Sequence, residues 1–183
     1  MSEHIKLLLA GKIGVMPTDT IYGLVGQALN KETVERIYAV RKRNSGKPMI
    51  ILINSMKDLE LFGIETDEKL KKVLIQFWPG KVSIVLPIDD SSYLEKLEYL
   101  HRGTKALAFR LPNNKALAKW LDKTGPLVAP SANLEGLPSA TTIDEAKNYF
   151  GNFVDFYLDG GKIESPSSKL IKIENGKIIE LRK

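Results

Sequence analysis

The sequence predicts an α/β fold, a twisted mixed sheet with helices packed on it, and three observations carry that expectation. Short apolar runs of buried-strand type alternate with segments of helical periodicity. Polar, hydroxyl-rich clusters sit where the apolar runs end, the usual ligand-binding edge of such a sheet. The last fifteen residues read as a hairpin, which makes the sheet mixed rather than wholly parallel.

Taken in order, Ser2 to Ala10 places Ile5, Leu8 and Leu9 on one face with Gly11 behind them, a helix with a glycine stop. A strand over Lys12 to Met16 follows at once. It runs into Pro17-Thr18-Asp19-Thr20-Ile21-Tyr22-Gly23-Leu24, where a carboxylate and small hydroxyls meet the end of the apolar run. The same residues also fit an ordinary turn leading to a capped helix. Asn30 caps a helix through about Val40, with Val34, Ile37 and Tyr38 on one face, and Pro48 to Ile53 is a buried-strand run, giving a β-α-β rhythm. Asp67 to Phe77 is a helix cut off by Trp78-Pro79, Val82 to Leu86 a strand, and Ser92-x-x-Glu95 a capping box. His101 to Lys105 reads as a basic connector, Ala106 to Arg110 as a strand, Asn113 to Lys123 as a helix ended by Gly125, and Leu127 to Ala129 as a strand entering the Ser131 loop. Thr142-x-x-Glu145 opens a helix closed by Gly151, and Phe153 to Leu158 is a strand. Lys169 to Ile173 and Ile178 to Leu181 flank Asn175-Gly176, the signature of a type I′ turn.

Composition narrows the function classes. At 183 residues, 43% hydrophobic and 27% charged, the chain suits one sizeable domain over residues 1–183 with a packed core. No cysteine is present, which removes disulfides, thiol nucleophiles and iron–sulfur ligation. No apolar run reaches membrane-spanning length and Met1 to Gly11 lacks a signal-peptide core, so a cytoplasmic location away from membranes is expected. The net charge of +5 is mostly lysine on exposed helix faces, with a remainder that suits anionic substrates or RNA.

The polar segments recur at consistent distances: the Thr18 cluster; Arg41-Lys42-Arg43 with Lys47-Pro48-Met49; Trp78-Pro79-Gly80; Arg110-Leu111-Pro112; Pro130-Ser131-Ala132-Asn133 with Gly136 and Pro138-Ser139; Pro166-Ser167-Ser168; and Leu181-Arg182. In this order the chain resembles the YrdC-like family of threonylcarbamoyl-AMP synthases, from about Lys12 to the C-terminus. The resemblance implies a YrdC-like fold with a central ligand cavity in a single catalytic domain. It implies a nucleotidyltransferase that makes L-threonylcarbamoyladenylate and pyrophosphate from L-threonine, bicarbonate and ATP with Mg2+. The product serves the N6-threonylcarbamoyladenosine modification of tRNA beside the anticodon, through downstream transfer proteins. The reading from another class is a double-stranded RNA-binding or ribosome-maturation module without this catalysis, which the basic balance also suits.

By the resemblance, Thr20, Tyr22, Arg110 and Ser167 bind threonine or its carbamate, while Arg43, Lys47, Ser131, Asn133, Ser139 and Arg182 bind the nucleotide. Arginine offers forked donors and lysine a mobile point charge to phosphate. Each residue also has a plain structural reading: Arg43 and Lys47 as a solvated loop, Tyr22 as a core aromatic, Arg182 as part of a fraying end. Several positions depart from the family pattern. Arg41 stands where lysine is usual, Ala106 where a hydroxyl is common, Glu135 where a small polar residue is common, and Ser168-Lys169 replaces Ser-Thr-Val. Glu135 either faces solvent or helps hold magnesium; Asp19 is an amine or metal partner or a helix cap. No side chain stands out as a general base, His4 and His101 are not spaced as ligands, and no protein metal ligand set is expected.

Overall fold

A computed structural model describes residues 2–44, 46–88, 90–174 and 177–183. The N-terminal half runs α1 (Glu3–Leu9), β1 (Gly14–Pro17), β2 (Tyr22–Gln27), α2 (Lys31–Arg41), β3 (Ile50–Leu52), a 3-10 stretch (Met56–Phe62), α3 (Glu68–Leu74) and β4 (Val82–Pro87). It continues through α4 (Ser91–Lys96), α5 (Glu98–His101), β5 (Ala106–Arg110), α6 (Lys115–Thr124), β6 (Leu127–Val128), α7 (Ile143–Phe150), β7 (Phe156–Tyr157), β8 (Lys169–Glu174) and β9 (Lys177–Arg182).

The helices start where side-chain oxygens accept the first free amides. Asn30 accepts from Thr33 N (3.0 Å), Asp67 from Leu70 N (2.7 Å), Asn114 from Leu117 N (3.0 Å) and Thr142 from Glu145 N (3.3 Å). One expected start moves. α4 is capped by Asp90 rather than Ser92, because the carboxylate, a stronger acceptor than a hydroxyl, takes both the Ser92 amide (2.8 Å) and its hydroxyl (2.7 Å). His101 is not part of an exposed connector: it closes α5, is buried, and its Nε2 lies 2.8 Å from the Leu94 carbonyl.

Among the described residues, nine strands join one mixed sheet in the order β7-β1-β2-β6-β3-β5-β4-β8-β9. The β-α-β expectation for the first strands gives way here. Tyr22 to Gln27, which precedes α2, is itself a strand, pairing antiparallel with β1 so that Val15 faces Leu24 and Met16 faces Gly23. β6 then inserts between β2 and β3, antiparallel to both. The parallel pairs are β1 with β7, β3 with β5 and β4 with β8. β8 and β9 form the expected antiparallel hairpin; its Asn175-Gly176 turn lies outside the described residues.

Helices cover both faces, which is why the central strands read as unbroken apolar runs. Val15, Leu24 and Ile51 point to one face, packed under α2, α3, α5 and α7; Met16, Val25 and Leu52 point to the other, packed under α1 and α6. At the β1 edge the packing is close: a Cβ on Gly14 would stand 2.4 Å from the Phe156 ring, so only glycine fits there. Among the described residues, no helix is long and apolar enough to cross a membrane.

Asp155 ties this edge together. Its carboxylate accepts from the Ile13 amide (2.9 Å) and pairs with Arg36 of α2. Burial raises its pKa, but the Arg36 and Ile13 bonds outweigh that and hold the carboxyl below its ordinary 3.8. A depressed carboxylate contributes stability above its unfolded pKa and loses it as pH falls through the folded value. We therefore predict that Asp155→Asn costs about 1 kcal/mol at neutral pH after solvent screening, and that the deficit shrinks below about pH 4. Urea melts at pH 7 and pH 3 measure this; a deficit equal at both would reject it.

Candidate functional site

Two loops leaving the sheet at the same end form the floor of the site. After β1, Thr18 closes a tight turn: its Oγ1 donates to the Ile21 carbonyl (2.7 Å) and accepts from the Thr20 amide (3.2 Å). That turn brings the Thr20 hydroxyl 3.2 Å from that of Thr18, and buries it. Beyond β6, Pro130 to Ala132 runs beside β2 through a Gly23–Ser131 bridge, with Leu24 N donating to Pro130 O (2.9 Å) and Ala132 N to Tyr22 O (2.9 Å). Gly23 fits closely here: a Cβ would stand 3.0 Å from the Thr18 methyl, which would have to give way.

Between these loops and the β8–β9 hairpin lies a cavity of about 270 Å³. It is lined by Arg41, Arg43, Arg110 and Arg182, by the hydroxyls of Thr18, Thr20, Ser131, Ser139, Ser167 and Ser168, and by small or apolar groups that include Ala108 and Pro48. Among the described residues, no carboxylate is in the lining. Four guanidiniums, of which Arg110 is matched by Asp19 outside the lining, leave the positive charge that suits a multiply charged anion. An adjoining concavity of about 380 Å³ shares Ile21, Ser139 and Ser167 with it. A larger one of about 1090 Å³ lies elsewhere and includes Glu60, Glu65 and Asp90 in its lining, a poor match to an anion.

Each arginine is fixed differently. Arg110, at the end of β5, is buried and pairs with Asp19 at 2.8 Å, both side chains only 4% exposed. Burial lowers its pKa and Asp19 works against that fall. Arg41 reaches from the end of α2 under the Ser131 turn. Its Nε donates to Asn133 O (3.0 Å), and its Nη2 donates to Ser131 Oγ (3.2 Å) and Asn133 Oδ1 (3.0 Å). Burial, then the charge of Arg43, pushes its pKa down to about 10, which leaves it a cation at neutral pH. Arg43 donates from Nε to Lys47 O (3.0 Å) and from Nη2 to Pro48 O (3.0 Å), stiffening its own loop. Arg182 is held on β9 by the Ser168 carbonyl (2.7 Å from Nη2), so this end is tied down rather than frayed. Ser168 in turn shares a hydrogen bond of 2.8 Å with buried Ser83.

The structure thus brings together Thr20, Arg43, Arg110, Ser131, Ser139, Ser167 and Arg182. Three expected residues lie outside the lining. Tyr22 is fully buried; its hydroxyl donates to Gly161 O (2.7 Å) and accepts from Gly160 N (2.8 Å), so it anchors the loop after β7 instead of a ligand. Asn133 spends its amide on Leu134 O and Leu137 O (both 2.8 Å) and its carbonyl oxygen on Arg41, which makes it a brace of the turn. Lys47 pairs with Glu135 at 2.8 Å, so Glu135 neither faces solvent alone nor stands in the cavity. Asp19 caps no helix. Arg41 carried a signal in the sequence: it follows Val34, Ile37 and Tyr38 at helical spacing on the buried face of α2.

Comparison with known proteins follows the same outline. The model of the Sua5/YciO/YrdC family, described as telomere recombination, matches residues 6–183. A threonylcarbamoyl-AMP synthase of Pyrococcus abyssi is 33% identical over 157 residues, 83% of this chain and 44% of its own length. A putative threonylcarbamoyl-AMP synthase of Methanocaldococcus jannaschii is 32% identical over 182 residues, 97% of this chain and 82% of the relative. The crystal structure of P. abyssi Sua5 complexed with L-threonine superposes with a TM-score of 0.85 at 29% identity, covering 98% of this chain and 52% of that one. The chain spans about half the length of the Pyrococcus protein in both comparisons.

Proposed function

The chain belongs to the Sua5/YciO/YrdC family, and from that premise we propose that it is a threonylcarbamoyl-AMP synthase, joining L-threonine, bicarbonate and ATP into L-threonylcarbamoyladenylate with release of pyrophosphate. The observation that carries this reading is the convergence of four arginines and six hydroxyls, drawn from α2, β5, β9 and the loops after β1, α2, β6 and β7, on one cavity with no acid in its lining among the described residues.

The chemistry asks the protein for position and charge more than for proton transfer. Threonine's amine adds to bicarbonate with loss of water, giving a carbamate. A carbamate oxygen then attacks the α-phosphorus while pyrophosphate leaves. Arg110, held by Asp19, pairs with the threonine carboxylate; Thr20 meets its polar groups; Ser167 lies toward the carbamate. Arg43, Ser131, Ser139 and Arg182 take the nucleotide, with Arg41 bracing Ser131 from beneath. Magnesium enters with ATP as part of the substrate, carried by phosphate oxygens and water, since the lining offers hydroxyls and guanidiniums rather than carboxylates. Downstream, a tRNA-modifying transfer protein consumes the adenylate, in the cytoplasm.

Pyrophosphate release from ATP that requires both threonine and bicarbonate is the test. An RNA-binding module without this catalysis releases none, and release independent of threonine would point to another acceptor.

A further inference from the structure

Glu135 sits on the loop that carries Ser131 and Ser139, opposite the loop that carries Arg43 and Lys47, and its carboxylate spans the gap between them. One oxygen accepts from Lys47 Nζ (2.8 Å) and the other from the backbone amide of Asn44. An ammonium and a backbone N–H are the two donor types that phosphate oxygens use in loops of this kind. The carboxylate is delivered from fixed backbone, since the Glu135 amide donates to Arg41 O at 3.0 Å. Asp19 is an acid bonded to another site residue, Arg110, and the contrast decides the reading. The Asp19–Arg110 pair is 4% exposed on both sides and locked, whereas Lys47 is 62% exposed and Glu135 26%, so this pair is solvated and exchangeable.

We propose that Glu135 is a built-in anion that occupies the donors of the Arg43–Lys47 loop in the empty site and is exchanged for nucleotide phosphate when ATP binds, so that it sets the affinity for the triphosphate. The inference rests on the reading of that loop as the nucleotide site: Arg43 lines the cavity, and Lys47, paired with Glu135, stands just beyond the lining on the same loop. The donors of Lys47 and Asn44 are kept ordered without a ligand, at the cost of competition with the incoming phosphates. The downward shift of the Glu135 pKa, caused first by the Lys47 bond and then by the Asn44 amide, agrees with an anion held in a donor-rich place.

Calorimetric titration with inorganic tripolyphosphate and then with ATP, at low ionic strength, tests it. Glu135→Gln, and Glu135→Ser as a second variant, are expected to bind both probes roughly three- to tenfold more tightly, from removal of one like charge and one competing pair. Threonine affinity stays unchanged, and the gain shrinks with added salt and disappears in a Lys47→Met background. Equal or weaker binding by both variants would overturn the proposal and leave Glu135 as a tie between loops. Absence of tripolyphosphate binding by the wild type would overturn it as well. If the gain appears but wild type makes no adenylate from threonine and bicarbonate, the exchange stands and the synthase reading falls.

Discussion

Replacing Asp19 by alanine is expected to cost about 3–5 kcal/mol of stability, because it leaves the Arg110 guanidinium buried without its counter-charge. For a chain of this size that lowers the thermal midpoint by roughly 6–20 °C. The mechanism is desolvation. Burial already lowers the Arg110 pKa, and Asp19 supplies the first opposing effect. The pair is also incompletely satisfied, since among the described residues Asp19 Oδ2 and Arg110 Nε are buried without hydrogen-bond partners. A large part of the penalty should therefore vanish when both groups go: Asp19→Ala with Arg110→Met should melt closer to wild type than Asp19→Ala alone. Functionally, Asp19→Ala raises the KM for threonine more than that for ATP if Arg110 holds the amino-acid carboxylate. A loss of stability under about 1 kcal/mol would show that the pair is not the buried unit described here.

The second large effect falls on Arg43. Arg43→Ala should lower kcat/KM for ATP by at least about 100-fold, the scale seen when one preorganised donor to developing charge is removed. Arg43 also holds the carbonyls of Lys47 and Pro48, so part of the loss reflects a slack loop. Arg43→Lys separates the two contributions: it restores charge without the fork, and partial recovery is expected. Pyrophosphate release with ATP and threonine varied in turn gives the readout, and near wild-type kcat/KM in Arg43→Ala would remove this residue from the nucleotide site.

Much of this architecture could be read from residues alone, for reasons visible in particular elements. The caps Asn30, Asp67 and Thr142 announce helices because a side-chain oxygen meeting a free amide is a local interaction. The runs at Ile50, Val82 and Ala106 announce strands because both sheet faces are covered. Tyr22 to Gln27 escaped notice since its two glycines and its place before the Asn30 cap disguise a central strand, one of whose partners, β6 (Leu127–Val128), is far away in sequence. The site divided along the same line. Residues that line space were legible, Thr20, Ser131 and Arg110 as polar groups at or just past strand ends and Ser139 through the family resemblance. Residues engaged by distant partners were not: the Tyr22 hydroxyl is taken by Gly160 and Gly161, and the Asn133 side-chain oxygen by Arg41. Sequence spacing carries no information about such long-range partners. The Ala106 departure has a simple counterpart in space, since Ala108 is the alanine of β5 that lines the cavity.

Arg182, held by Ser168 on the terminal strand, and Thr20, just past the first, look onto the same cavity. A compound touching both joins the loop after β1 to β9, so its binding is coupled to the pairing of the sheet between them and not to a local patch. Each tenfold excess of such a compound over its dissociation constant should add about 1.4 kcal/mol against global unfolding, and protease resistance should rise at the β1 loop and at β9 in step.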